Sequence, residues 1–366
     1  MTKALFLVSN PVDPDPRVLR EAEALADAGI GVTILALRRR GQRTESESLD
    51  GVEIRRVGVP IPYGSPPALL LGILSMLPPA LGSSGFDIVH CHDLDTLPLG
   101  VLLKRRLGVP LIYDSHEYYP GMAFPRGGVP MRILEALERR LLTQVDAVIT
   151  VGERLRRRFL EMGARRVEVV GNWRDPVDPG DREELRRSWG VCSEIVISYV
   201  GNLNPGRRIR ELMEAIAGLK GFYLVIGGFK GIEDEVREFA SKHDNIIFLG
   251  KVPPEKIPSI FHASDAVFYV PEPTPNGHYS APNSFFTALS VGRPVITSDY
   301  GEIADLVRET GCGFIVEPTV NGIRSFLLRM GEGIREAWPR CRSSRVKYSW
   351  SEARRRLLEL YGVLLP

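Results

Sequence analysis

The feature that most constrains the fold is an alternation running almost from end to end, in which short apolar, β-branched runs are separated by stretches of helical periodicity. In the first half the runs fall at 4–9, 32–37, 52–57, 87–90, 110–113, 147–151 and 167–170, with helices expected at 17–28, 96–107, 131–144 and 153–162. Several runs are apolar throughout, as a parallel strand covered on both faces requires. Strand, helix, strand in repetition predicts a doubly wound α/β domain.

The alternation pauses at 171–180, a turn-rich stretch carrying Pro176 and Pro179, and restarts with runs at 194–200, 222–226, 246–249, 266–270, 294–297 and 313–316. A chain of 366 residues has room for two domains. We therefore expect an α/β protein of two doubly wound, Rossmann-like domains facing across a cleft: 1–172, a linker at 173–190, a second domain at 191–345 and an end segment at 346–366. That end segment holds an amphipathic helix from Trp350, with Ser351 as its expected N-cap.

Charge and cysteine content narrow the partners and the compartment. Lys and Arg number 47 against 45 acids, so no global charge excess favours nucleic acid. The four cysteines, Cys91, Cys192, Cys312 and Cys341, form no C-x-x-C pair, which suits a reducing compartment and points to the cytoplasm. The apolar run near the N-terminus is too short for a signal peptide. The apolar stretch 68–77 is too short to span a bilayer and reads as a buried or membrane-resting helix.

In doubly wound folds ligands sit beyond the carboxyl ends of strands. No G-x-G-x-x-G follows the first strand, which argues against a dinucleotide cofactor. Arg17 opens the first helix, where the macrodipole disfavours a cation unless it serves a partner; an ion pair to Asp13 or Asp15 is the plain alternative. Two neighbouring strands run into His90-Cys91-His92-Asp93 and Asp114-Ser115-His116-Glu117. These could ligate a metal, orient or polarise a bound hydroxyl, or merely hydrogen-bond loop carbonyls. In the second half, Gly201-Asn202-Leu203-Asn204-Pro205-Gly206-Arg207-Arg208 leads into a helix, and Ser280-Ala281-Pro282-Asn283-Ser284 precedes another. Small residues and arginines at helix starts read together as an anion site.

Taken in order and spacing, these positions resemble glycosyltransferase family 4, retaining enzymes of the GT-B fold. The resemblance rests on Asp15-Pro16-Arg17-Val18 with Arg20-Glu21-Ala22, Phe86 to His90, Tyr113 to Glu117, Asp146 to Val151, Tyr199 to Leu203, Ile226-Gly227-Gly228, Phe248-Leu249-Gly250, Ala281-Pro282-Asn283 and Gly292 to Asp299. It implies a nucleotide-sugar donor held by the C-terminal domain, through Gly201, Asn202, Arg207, Arg208, Asn283, Ser284 and Thr287, and a glycan or lipid-linked acceptor on the N-terminal side near Arg17, His92, Asp93 and Glu117. It places His116 beside the transferring sugar, requires no metal and no cofactor, and returns the final helix to the N-terminal domain. The chain departs from the family where two glutamates flank the donor: Tyr279 and Thr287 stand there. Asn202 replaces an arginine and Ser284 a lysine, so the donor is held differently, through Glu272 or Glu302, or binding is lost. A non-catalytic relative and a sugar-nucleotide epimerase on the same fold are the competing expectations. Residues 126–166 carry ten arginines against five acids, which with the 68–77 stretch suggests docking on an anionic membrane surface.

Overall fold

Two units make up the chain in a computed structural model that describes residues 2–13, 15–40, 46–62 and 66–365. The first unit comprises the residues up to Gly171 together with those from Ala353 onward, and the second is Asn172–Glu352.

In the first unit, strands β1 (Lys3–Val8), β2 (Gly31–Arg39), β3 (Ser46–Leu49), β4 (Val52–Ile61), β5 (Ile88–His92), β6 (Leu111–Ser115), β7 (Ala147–Thr150) and β8 (Val167–Val169) form one sheet in the order β3-β4-β2-β1-β5-β6-β7-β8. Every neighbouring pair is parallel except β3 with β4. The interior strands β1, β5, β6 and β7 are buried almost throughout, which explains their apolar runs; in β5 and β6 the carboxyl ends carry the buried His90, His92, Asp114 and Ser115 instead. β3 is an addition to the expected strands. Its four residues are all exposed, so it carries no apolar pattern. It exists because Asp50-Gly51, with φ of 48° and 82°, forms the two-residue turn that matches the twist of a hairpin.

The second unit holds β9 (Ile195–Asn202), β10 (Phe222–Phe229), β11 (Ile246–Phe248), β12 (Ala266–Phe268), β13 (Val295–Thr297) and β14 (Gly313–Ile315) in the order β11-β10-β9-β12-β13-β14. All are parallel. Their inward side chains, among them Ile197, Leu224, Ile226 and Phe268, pack with Leu212, Ile216 and Phe326 from covering helices. Both sheets reverse direction about a central strand, so the ligand-binding ends lie between β1 and β5 and between β9 and β12. Each unit is thus a Rossmann-like domain.

Three local expectations change. The segment expected as a linker contains helix Arg182–Ser188, which belongs to the second unit because the buried Arg186 donates to Asp265 at 3.2 Å and to the carbonyls of Ala263 and Glu194. The final helix, Trp350–Leu364, is capped by Ser349, whose hydroxyl accepts from Glu352 N, while the Ser351 hydroxyl donates to Asp175. Not every arginine of the basic stretch 126–166 faces outward: in helix Glu153–Glu161, Arg157 is exposed, but Arg158 turns inward to pair with the buried Glu138 at 2.7 Å and lies over the Tyr118 ring.

Candidate functional site

Helix Pro16–Asp27 starts where Asp15 accepts hydrogen bonds from Arg17 N and Val18 N, with Pro16 at the first helical position. Asp15 is therefore a cap and no ion-pair partner for the Arg17 side chain. That side chain turns inward: Nη1 donates to Val170 O at 2.8 Å, and Nη2 reaches both carboxylate oxygens of Asp114 at 3.0 Å. One helical turn on, Glu21 lies 3.0 Å from the same guanidinium and is fully buried.

Asp114, near the end of β6, is the hub of this cluster. Its Oδ2 is 3.3 Å from His116 Nε2, 3.6 Å from His92 Nδ1 and 3.8 Å from His90 Nε2. His90 and His92 alternate with Cys91 on β5, so both rings face the same side and stack at 4.5 Å, with Phe6 of β1 against them. Tyr361 of the final helix is 2.8 Å from His90 Nδ1, and His92 Nδ1 is 3.1 Å from His116 Nε2. Asp93 adopts φ of 64° just past β5, which turns its carboxylate onto the backbone N–H of His116 at 3.2 Å and brings it 3.6 Å from His116 Nδ1.

Burial and charge divide the protons. Burial alone would raise the Asp114 carboxyl, yet Arg17 and His116 hold it well below the usual range. Burial pulls His116 down, but Asp93 and Asp114 outweigh it and lift the imidazole to about 9. His90 and His92 are pushed down by burial, and His92 further by its imidazole neighbours, so both are neutral. Burial lifts Glu21 to about 8 against the pull of Arg17, and Asp93 to about 7 against that of His116. Near neutrality His116 is a half-buried, fixed imidazolium.

Ligand atoms of Glu21, His90, His92 and Asp114 come within 4.8 Å of one another, as a metal site would require. Arg17 Nη2 bonds both Asp114 oxygens and lies 3.0 Å from Glu21, and a dication would sit against it and the His116 cation, whereas the Glu21 oxygens, His90 Nε2 and His92 Nε2 are buried without a hydrogen-bond partner.

Of the expected acceptor-side residues, Arg17, His92 and Asp93 join His116 in this cluster, whereas Glu117 lies beside it with its carbonyl accepting from the Ser115 hydroxyl. Asp114 was expected only as one of the acids at the two strand ends, and Glu21 and Tyr361 were given no site role. A charged residue at the fourth position after Arg17, on the face that buries Val18, Ala22 and Leu25, was the available signal for Glu21. Tyr361 had none, because its partner is 271 residues away.

In the second unit, β9 ends at Asn202, and the chain passes through Leu203-Asn204 and a 3₁₀ turn, Pro205–Arg207, into helix Ile209–Ile216. The turn is held tightly against β10: a Cβ on Gly228 would come within 2.3 Å of Gly201 O. Arg207 stacks over the Tyr269 ring at 4.7 Å, hydrogen-bonds its hydroxyl and lies 3.6 Å from Glu272. Arg208, at φ of 59°, pairs instead with Glu211 at 2.8 Å, so the two arginines do not converge on one clamp. Arg208 lines a pocket of about 500 Å³ at the carboxyl ends of β12, β13 and β14, with Val270, Ser298, Tyr300 and Glu317.

Helix Asn283–Ser290 follows Pro282 with no side-chain cap, leaving Asn283 exposed and Ser284 half-buried at its start. Thr287 is buried, and its hydroxyl donates to Asn283 O within its own helix. Tyr279 packs edge-on to His278.

Two Rossmann-like domains in one chain are the architecture of GT-B glycosyltransferases. The chain belongs to glycosyltransferase family 4: residues 14–173 match the glycosyl transferase 4-like domain and residues 194–330 match glycosyl transferases group 1. A D-inositol 3-phosphate glycosyltransferase of Nocardia farcinica is 25% identical over 321 residues, covering 76% of this chain and 67% of its own. A GDP-mannose-dependent alpha-mannosyltransferase of Mycolicibacterium smegmatis is 27% identical over 316 residues, covering 82% and 79%. Among solved structures, a sucrose-phosphate synthase of Thermosynechococcus elongatus has the same fold, with a TM-score of 0.79 at 17% identity over 100% of this chain and 99% of its own. Sugar transfer is the activity for which the Nocardia and Mycolicibacterium relatives are named.

Proposed function

We propose that the protein moves a sugar from a nucleotide-activated donor to a glycan or lipid-linked acceptor with retention of configuration, without a metal or other cofactor, in the assembly of a cell-surface polysaccharide on the cytoplasmic side of the membrane. The observation that carries this is the turn Gly201–Arg207 at the switch point of the second sheet, where Arg207 and the backbone N–H groups opening helix Ile209–Ile216 suit a diphosphate. The same cation would stabilise the departing diphosphate while the acceptor attacks from the same face. The relatives' names support a nucleotide sugar as donor.

Arg207→Ala should raise the donor KM and the nucleoside diphosphate Kd at least about tenfold, as loss of a charge-assisted contact predicts. Titrating the wild type and the variant with a panel of nucleotides and nucleotide sugars, by thermal shift and by hydrolysis, checks this. A second reading, a non-catalytic relative serving as a partner or binding subunit, draws on the absence of carboxylates at Tyr279 and Thr287. It gains if no nucleotide shifts the melting temperature and none is hydrolysed.

The acceptor's location is part of the same proposal. Connections β4 to β5, β5 to β6 and β6 to β7 all move the same way across the first sheet, so right-handed crossovers put their helices on one face. The outer surface of that layer exposes Leu70, Leu71 and Leu74 of helix Pro66–Ser75, Leu102 of helix Leu97–Leu107, and Val129, Ile133 and Leu137 of helix Val129–Leu142. Arg126, Arg132, Arg139 and Arg140 are exposed with them, while Glu135 and Glu138 are tied to Tyr118 and Arg158. A surface both apolar and singly positive suits an anionic bilayer, and no helix among the described residues is long and apolar enough to cross one. Vesicles containing phosphatidylglycerol should co-sediment the protein severalfold more than neutral vesicles at low salt, and Ile133→Asp with Arg139→Glu should remove the difference. Equal pelleting with both vesicle types would refute membrane docking.

A further inference from the structure

With Tyr279 and Thr287 in place of carboxylates, a sugar-diphosphate donor has lost the acceptors that would take its hydroxyl groups, and a hydroxyl pair is bound best by a charged acceptor. Near this end of the sheet Asp299 and Glu317 line the pocket beside Arg208, while Glu272 and Glu302, the two carboxylates expected to stand in, differ in their surroundings. Glu302 is 2% exposed, inside helix Gly301–Thr310. Glu272 sits four residues past the end of β12, the strand paired directly with β9 across the switch point.

The Glu272 side chain is built into the turn that the donor phosphates would occupy. Its Oε1 accepts from Asn204 Nδ2 at 3.2 Å and is 3.6 Å from Arg207 Nε, beyond a hydrogen bond. Its stem covers Gly206: a Cβ on that glycine would stand 2.7 Å from Glu272 Cγ, so the turn is shaped around this glutamate. Arg207 is gripped on its other side by the Tyr269 ring and hydroxyl. The carboxylate is nevertheless about one-third exposed, which leaves lone pairs open to a ligand.

Resting on the reading of this turn as the donor phosphate site, we infer that Glu272 supplies the missing carboxylate. It accepts hydrogen bonds from hydroxyl groups of the donor's sugar, while Tyr269 keeps Arg207 in place for the phosphates. A group that touches the sugar and not the phosphates must affect sugar nucleotides and bare nucleotides unequally. A group that only held the turn in shape would affect both alike.

The isosteric Glu272→Gln variant separates these roles, with a thermal melt to establish that it is folded. UDP and GDP binding is measured by calorimetry, and turnover is measured with UDP-glucose and GDP-mannose as probes. Nucleoside diphosphate affinity should stay within about threefold of wild type, while kcat/KM for the accepted sugar nucleotide falls at least about tenfold, the size expected for losing one charged hydrogen bond. A parallel loss in both measurements, as Arg207→Ala should give, would overturn the inference and leave Glu272 a scaffold for the turn. Tighter nucleotide binding with faster turnover would overturn it too, by making the carboxylate a resident competitor of the phosphates. Unchanged turnover likewise rejects it. A wild type that binds neither nucleotide would bring down the donor reading itself, an outcome distinct from failure of the glutamine variant alone.

Discussion

Replacing His116 by alanine should lower sugar transfer by at least about 10²-fold, the typical cost of removing one preorganised charged donor, while leaving nucleoside diphosphate affinity within about threefold. The reason lies in how the ring is held. Nε2 is committed to Asp114 and His92, whereas Nδ1 stands 3.6 Å from Asp93, outside hydrogen-bond distance. The Nδ1–H is thus the donor we assign to a sugar hydroxyl, on an imidazole that the two carboxylates lift to about 9. An imidazolium at neutral pH donates and does not accept, so the role we propose for His116 is charge and orientation and not general base catalysis. Activity should accordingly decline as the pH rises through about 9, and His116→Gln, which keeps an N–H donor without the charge, should retain part of the turnover and lose that alkaline limb. Turnover of His116→Ala equal to wild type would refute the role outright.

How much of this was legible in the sequence depends on the range of the interactions involved. All six strands of the second sheet and the seven apolar strands of the first were visible, because a buried parallel strand is written as a contiguous apolar run. β3 was not, although the Asp50-Gly51 turn that creates it is a local signal; its exposed Ser46-Glu47-Ser48 carries no pattern to pair with that turn. Helix Arg182–Ser188 was hidden among turn formers, since what anchors it is Asp265, some 80 residues away, accepting from both Arg182 and Arg186. His116, His92 and Asp93 could be chosen from strand ends alone. Their protonation could not, because it is set by Arg17, Asp114 and burial, which only the folded sheet brings together. Thr287 shows the converse: its place in the motif suggested a ligand, but a hydroxyl in mid-helix takes the carbonyl one turn back.

The Asp114 hub should dominate the stability of the first unit. Asp114→Ala leaves the Arg17 guanidinium and the His116 imidazolium buried or half-buried without their shared counter-charge, a change that typically costs about 3–5 kcal/mol. Against a domain stability of roughly 5–15 kcal/mol, that is enough to lower the melting temperature of the first unit by about 10 °C or more, or to unfold it. Asp114→Asn keeps the shape and part of the hydrogen bonding, and should fall between. The pH dependence separates charge from packing. Asp114 has a folded pKa below its unfolded 3.8, so its contribution is present above that value and is lost as pH falls through the folded value. His116 and Glu21 act in the opposite sense. His116 binds its proton more tightly folded than unfolded, so the stability it gives is complete below 6.5 and is lost as pH rises towards about 9. Glu21, held neutral, loses its contribution between 4.5 and about 8. Thermal stability of the wild type should therefore fall steadily from about pH 6 to pH 9, each group contributing at most about 1.4 kcal/mol per pH unit. In Asp114→Asn that slope should flatten, since the carboxylate that helps keep His116 protonated is gone. Arg17→Met added to Asp114→Asn should cost less than the two single effects combined, because the second change removes a cation the first had already stranded. A wild-type melting temperature constant from pH 6 to pH 9, or strict additivity of the two substitutions, would show that these groups are not one coupled cluster.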